Sequence, residues 1–226
     1  MKERPILFSA EMVRAILAGR KTQTRRVVKP QSDSFITHCY PEQTDDFSAQ
    51  TGLWIAATGD RGTSKAQGTF ECPYGVPGNR LWVRETWWTY PHVISNRLMR
   101  DGADTWPKVN GEPIAYAADG DTDIWLNLKW IKKPSIFMPR WASRITLEVK
   151  EVRIEKLQEI SEEDCLAEGC PDELGSEYCI DGMSCRKAWY ADLWDSINNQ
   201  RGHGWKSNPF VWAITYNAIS DETRAE

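Results

Sequence analysis

No stretch of this chain is both long and uncharged. The longest run without Asp, Glu, Lys or Arg is Ser207 to Ser220, 14 residues broken by Asn208, Pro209 and Asn217. A helix needs about 20 apolar residues to cross a bilayer, so the sequence predicts no membrane partner. Histidine is scarce too: His38, His92 and His203 are too scattered for a metal triad and read as loop residues. Six cysteines in 226 residues fall far below a disulfide scaffold. The opening MKERPILFSAEMVRAILAG has no secretory core, because Glu11 and Arg14 interrupt its apolar residues, and it reads as mature cytoplasmic protein with reduced thiols. Cys165, Cys170, Cys179 and Cys185 fall within 21 residues, but their spacings suit neither a zinc knuckle nor a ribbon, so packing thiols are expected. No repeat, low-complexity tract or hinge-like linker divides the chain, and a single domain over 1–226 is expected.

Acid is missing from one place. Met12 to Ser32 holds no Asp or Glu but carries Arg14, Arg20, Lys21, Arg25, Arg26 and Lys29, while the rest has 22 basic against 32 acidic residues. The formal net charge of −4 therefore conceals a local cationic segment, which reads as a focused anion site. What the chain has in excess is tryptophan, with 12. Trp189, Trp194 and Trp212 fall on helix and strand faces expected to build a core. Trp82, Trp87, Trp88 and Trp141 flank candidate ligand-binding segments, with Trp87 and Trp88 first as stacking platforms for a flat base.

Along the chain, Ile6 to Phe8 is strand-like, Ser9 caps a helix whose apolar face is Met12, Val13, Ile16 and Leu17, Gly19 ends it, and Thr22 to Val28 is a β-branched strand. Residues from about 31 to 71 and from about 91 to 135 read as irregular insertions, with a possible strand at Ile114 to Ala117. Arg80 to Thr86 alternates as a half-buried strand that sets Leu81, Val83 and Glu85 on one face, and a strong strand runs through Trp141 to Val152. Ser161 opens a short acidic helix closed by Gly169. A second helix from about Arg186 to Ile197 places Trp189, Leu193 and Ile197 four apart, and Phe210, Trp212, Ile214 and Tyr216 alternate in a last strand. The pattern predicts an α+β fold around a curled sheet.

Gly19 to Arg26, GRKTQTRR, matches the G-x-K-x-x-T-x-R signature of the ASCH superfamily, small β-barrel proteins similar to the PUA RNA-binding fold. Further segments resemble the longer phage and prophage members: Cys72-Pro73-Tyr74-Gly75, Gly78 to Trp87, Met138 to Ile145, Ile160 to Asp164 with Glu168-Gly169, and Leu193 to Ser196 followed by Asn208 to Trp212. The resemblance implies a PUA-like curled β-barrel with flanking helices and two long insertions. Small bacterial members are N4-acetylcytidine amidohydrolases that use a Lys, a Thr and a Glu. The first two correspond to Lys21 and Thr24, and the third is matched to Glu85.

Amide hydrolysis needs a nucleophile, a base and donors for the oxyanion. Thr24 supplies the hydroxyl and Lys21 the base, its pKa lowered by burial and by Arg20, Arg25 and Arg26; Glu85 orients the lysine or relays a proton to the departing amine. Residues 21 and 24 face opposite ways in a continuous strand, so the scheme requires Lys21 to lie in the turn. Arg140, Ser143 and Arg144 form a second polar group suited to phosphate or ribose. The scheme requires no metal or organic cofactor. The expected partner is a pyrimidine nucleoside or base, free or within RNA or single-stranded DNA. Two alternatives stay open: a module that binds RNA or single-stranded nucleic acid without catalysis, and a metal-dependent ribonuclease, against which stands the lack of a carboxylate or histidine cluster beside the basic turn.

Overall fold

The computed structural model describes residues 2–29, 31, 38–41, 53–58, 65–89, 108–109, 112–120, 130–174 and 182–219. The first half supplies β1 (Glu3–Leu7), α1 (Ala10–Leu17), β2 (Gln23–Val27), β3 (His38–Pro41), β4 (Leu53–Thr58), β5 (Lys65–Glu71), β6 (Arg80–Arg84) and β7 (Trp87–Thr89). The second supplies β8 (Lys108–Val109), β9 (Glu112–Tyr116), β10 (Ile131–Lys133), β11 (Thr146–Lys156), α2 (Glu162–Ala167), α3 (Cys185–Asn198) and β12 (Phe210–Ile219). The fold is mixed α+β. Its main sheet has the order β1-β6-β11-β12-β2; β1 runs parallel to β6 and the other pairs are antiparallel.

The local rules that define these elements are visible at their ends. The Ser9 hydroxyl accepts from the Met12 amide, Ser161 from Asp164 and Ser184 from Lys187, so each helix opens on a side-chain cap. Gly19 (φ 72°) turns the chain after α1, and Gly169 (φ 97°) turns it after α2. The Thr22 amide then donates to the Ala167 carbonyl at 2.8 Å, which sets the turn before β2 against the end of α2.

Strand β12 is buried on both faces along its first half, so its alternation separates two cores. Phe210, Trp212, Ile214 and Tyr216 join Ile6, Val13, Leu81, Val83 and Leu147 on the α1 side. Val211 joins Leu157, Ile160, Tyr190, Trp194 and Trp205 beneath α2 and α3. The expected inward face of the last helix is rotated: Ala188, Tyr190 and Trp194 are buried, while Trp189 and Leu193 are half-buried and Ile197 is exposed. A helix packed on one side needs only that stripe, and burying Trp194 with its Nε1 donating to the His203 carbonyl fixes which stripe it is.

The two segments expected to be irregular carry sheets. Within 31–71 lie β3, β4 and β5 as a three-stranded antiparallel sheet, and β8, β9 and β10 combine with β7 in the order β10-β7-β9-β8. Short strands of this kind, separated by polar stretches, show little hydrophobic periodicity, and cross-strand pairing sets them instead. Among the described residues no backbone ladder joins the two edges β1 and β2 of the main sheet. A side chain links them instead: Arg26 Nη2 on β2 donates to the Leu7 carbonyl on β1 at 2.7 Å.

Candidate functional site: a buried lysine at the open edge of the sheet

Lys21 lies in the turn between α1 and β2, its amide donating to the Ala15 carbonyl at 3.1 Å. The condition set by strand geometry is therefore met. Its side chain is buried, and Nζ donates to Glu168 Oε2 at 2.5 Å and to the Glu168 carbonyl at 2.8 Å. Burial lowers the amine's pKa, partly opposed by the Glu168 charge and hydrogen bond, with Arg26 and Arg25 pushing in the same direction as burial. Gly169 packs against this lysine: a Cβ there would stand 3.3 Å from Lys21 Cβ and 3.2 Å from Ala15 Cβ.

Glu168 is shared. Its Oε1 accepts from Arg25 Nη1 at 3.3 Å and from the Tyr190 hydroxyl at 3.4 Å. Arg25 is buried and wholly engaged, donating from Nε to Glu155 at 2.8 Å, from Nη2 to Asp164 at 2.7 Å and from Nη1 to Gln23 at 2.6 Å. Burial opposes its charge, but Glu168, Glu155 and Asp164 more than offset that and raise its pKa. Arg153 closes the network with bonds to Glu155 and Asp164. The cationic segment is thus not a free anion patch: Lys21 and Arg25 are buried and paired, and Arg20, exposed, donates to the Gly169 carbonyl.

Beside this network, between β1 and β2, is a cleft of about 510 Å³. Pro5 to Phe8 form one wall and Thr24 to Val27 the other, with Leu193, Trp194 and Ile197 of α3 over it and Glu168, Tyr74 and Tyr190 also lining it. The buried Thr24 makes no side-chain hydrogen bond among the described residues, so its hydroxyl is uncommitted in the cleft wall. Arg26 lies along the same wall, over the Phe8 ring at 5.1 Å.

Other expected residues are placed elsewhere. The Glu85 carboxylate is buried, but its partner is Arg144, whose Nε donates at 2.9 Å and Nη2 at 3.2 Å. Lys21 pairs with Glu168 instead, so the pairing of Glu85 with Lys21 is corrected. Burial raises the pKa of Glu85, with Arg144 opposing. Arg144 also donates to Asp119 and lies 4.0 Å over the Tyr116 ring. Arg140 binds Glu3, and the buried Ser143 hydroxyl donates to the Ile145 carbonyl, so each member of this second polar group has a partner within the protein. Trp87 and Trp88 are buried in β7, Trp87 edge-on to Trp141 at 6.0 Å. Neither offers a face to a base, because core packing takes both rings.

No group of three or more metal-ligating side chains occurs among the described residues. Cys72, Cys165 and Cys170 are free and buried, but Cys185 is disulfide-bonded, which corrects the expectation of reduced thiols at that position. Cys179 and His92 lie outside the described residues. Among the described residues no helix is long and apolar enough to cross a membrane.

Sequence reasoning missed Glu168, although it quoted the residue, and it missed Tyr74 and Tyr190. The signal for Glu168 was its place at the end of a capped helix just before a glycine; nothing local says that it meets a lysine 147 residues earlier. No protein-family model, curated protein or solved structure matches this chain.

Proposed function

We propose that the protein is an ASCH-type amidohydrolase, its main sheet a curled PUA-like barrel left open at β1 and β2, that removes an N4-acyl group from cytidine. The observation that carries this reading is the buried Lys21–Glu168 pair, whose Glu168 lines the same cleft as Thr24. Burial lowers the Lys21 pKa and so favours the neutral amine that can act as a base, and Glu168 orients it. Thr24 Oγ attacks the acyl carbonyl carbon as its proton passes to the neutral Lys21 amine. The carbon–N4 bond then breaks and the lysine returns that proton to N4, releasing cytidine and leaving an acyl ester on Thr24. Water, deprotonated by the same amine, hydrolyses the ester to the free acid. Arg26 supplies N–H donors to the oxyanion from the cleft wall. Glu168 takes the role that the resemblance assigned to Glu85.

The binding-only reading is weakened by the same geometry, since two of its four phosphate-contacting cations, Lys21 and Arg25, are spent in buried ion pairs. The deciding measurement is release of cytidine from N4-acetylcytidine. Thr24→Val keeps the shape of the side chain and removes the hydroxyl, and it should lower turnover by roughly a hundredfold or more with an unchanged melting temperature. Equal turnover by wild type and variant, or none by either, would falsify the proposal.

A further inference from the structure

The cleft is more positive than a neutral nucleoside requires. Arg25, Arg26, Arg84 and Arg201 all line it, against one carboxylate, Glu168. That carboxylate is already divided between Lys21 and Arg25. Arg25 is balanced by its three acids, whereas Arg26, Arg84 and Arg201 form no salt bridge among the described residues. Two of these three are held by neutral groups. Arg26 donates to the Leu7 and Arg25 carbonyls, and Arg84 donates to the Met138 carbonyl while lying 4.7 Å from the Trp82 ring. Such contacts fix a guanidinium in place without cancelling its charge. Arg201 stands exposed just beyond α3 and also lines the cleft. Like charges gathered round a low-dielectric cleft repel one another unless an anion enters, and guanidinium groups suit phosphate oxygens in particular.

We propose that the cleft takes a phosphate-bearing cytidine nucleotide, with Arg84 and Arg201 as the phosphate-recognising residues. A volume of about 510 Å³ is within the usual range for a ligand of that size. The inference rests on the amidohydrolase reading for the base and its acyl group, and adds the phosphate. It leaves the source of the phosphate, a mononucleotide or a phosphodiester in a strand, to the arms of the test.

The test compares kcat/KM for N4-acetylcytidine, its 5′-monophosphate, its 3′-monophosphate and a short single-stranded oligonucleotide containing one such residue. At about 50 mM salt at least one phosphorylated substrate should exceed the nucleoside by about tenfold, and the preference should shrink as salt screens the arginines. Preference for a monophosphate identifies a free nucleotide, and preference for the oligonucleotide identifies a strand. In Arg84→Gln combined with Arg201→Gln the phosphorylated-to-nucleoside ratio should fall towards one. Equal kcat/KM for all four substrates, or a ratio unmoved in the double variant, overturns the inference while leaving the amidohydrolase reading intact. If none of the four is hydrolysed, binding of cytidine 5′-monophosphate against cytidine, followed by tryptophan fluorescence, still decides: tighter nucleotide binding supports phosphate recognition although the hydrolase reading has failed, and equal binding overturns it.

Discussion

Lys21 is chemically tuned by where it is buried more than by its neighbours in sequence. The amine's pKa is lowered from 10.5 because burial penalises its charged form more than Glu168 favours it. If the neutral amine is the base, kcat/KM for N4-acetylcytidine should rise with pH through an apparent pKa below 10.5, and a flat profile through that range would argue against Lys21. The same shift has a stability sign. A lysine whose folded pKa is depressed binds fewer protons folded than unfolded between the two values, so its burial cost is full below the folded pKa and fades as pH rises towards 10.5. Glu168→Gln should bring the lysine's pKa down further by removing the charge that raises it, moving the activity profile to lower pH even as turnover falls. Cysteine chemistry at this scale points the other way. Burial pushes the Cys165 thiol up to about 12 and the Cys72 thiol up to about 11, so both stay protonated and inert. In the native protein iodoacetamide at neutral pH should leave them unmodified, and in urea it should label them, as read by mass spectrometry; rapid labelling without denaturant would contradict this burial.

At the scale of elements, the end of α2 does most to position the site. Its Ser161 cap, its last-turn contact to the Thr22 amide and the turn at Gly169 together deliver Glu168 to Lys21. Ser161→Ala should cost about 1 kcal/mol of stability, the usual worth of such a cap. Gly169→Ala should cost more, roughly 1–3 kcal/mol, since alanine is strained at φ 97° and its Cβ would crowd Ala15 and Lys21. That substitution should also lower turnover beyond its effect on folding, because the displaced atoms belong to the lysine proposed as the base. Denaturant melts together with kcat separate the two effects, and a stable but fully active variant would show that the packing is not transmitted to the amine. The strands beside these turns were legible in sequence, β2 from its β-branched residues and β12 from the alternation of its large apolar side chains. The rotated face of α3 and the strands within 31–71 and 91–135 were not, because tertiary contacts choose among stripes and pairings that are locally equivalent.

For the molecule as a whole, one ion network ties the sheet to its helical cover. Arg25 of β2, Arg153 and Glu155 of β11 and Asp164 of α2 hold one another, with Glu168 beyond. Burial raises the pKa of Asp164, but Arg153 and Arg25 more than reverse this and set it below 3.8. Its contribution is therefore present above pH 3.8 and is lost as pH falls through the lower folded value. Thermal melts over that acid range should show the loss in wild type and a shallower one in Asp164→Asn; equal slopes would mean that the network does not act as a clamp. Composition and periodicity were enough to indicate an α+β chain and a basic turn after α1, because periodicity, caps and turn glycines are local properties. The third member of the site was not local. Glu85 and Glu168 are both buried carboxylates, and only the folded chain separates them, giving one to Arg144 and the other to Lys21. The pairing of buried charges is decided by which surfaces come together, and the two partners here stand 147 residues apart in sequence.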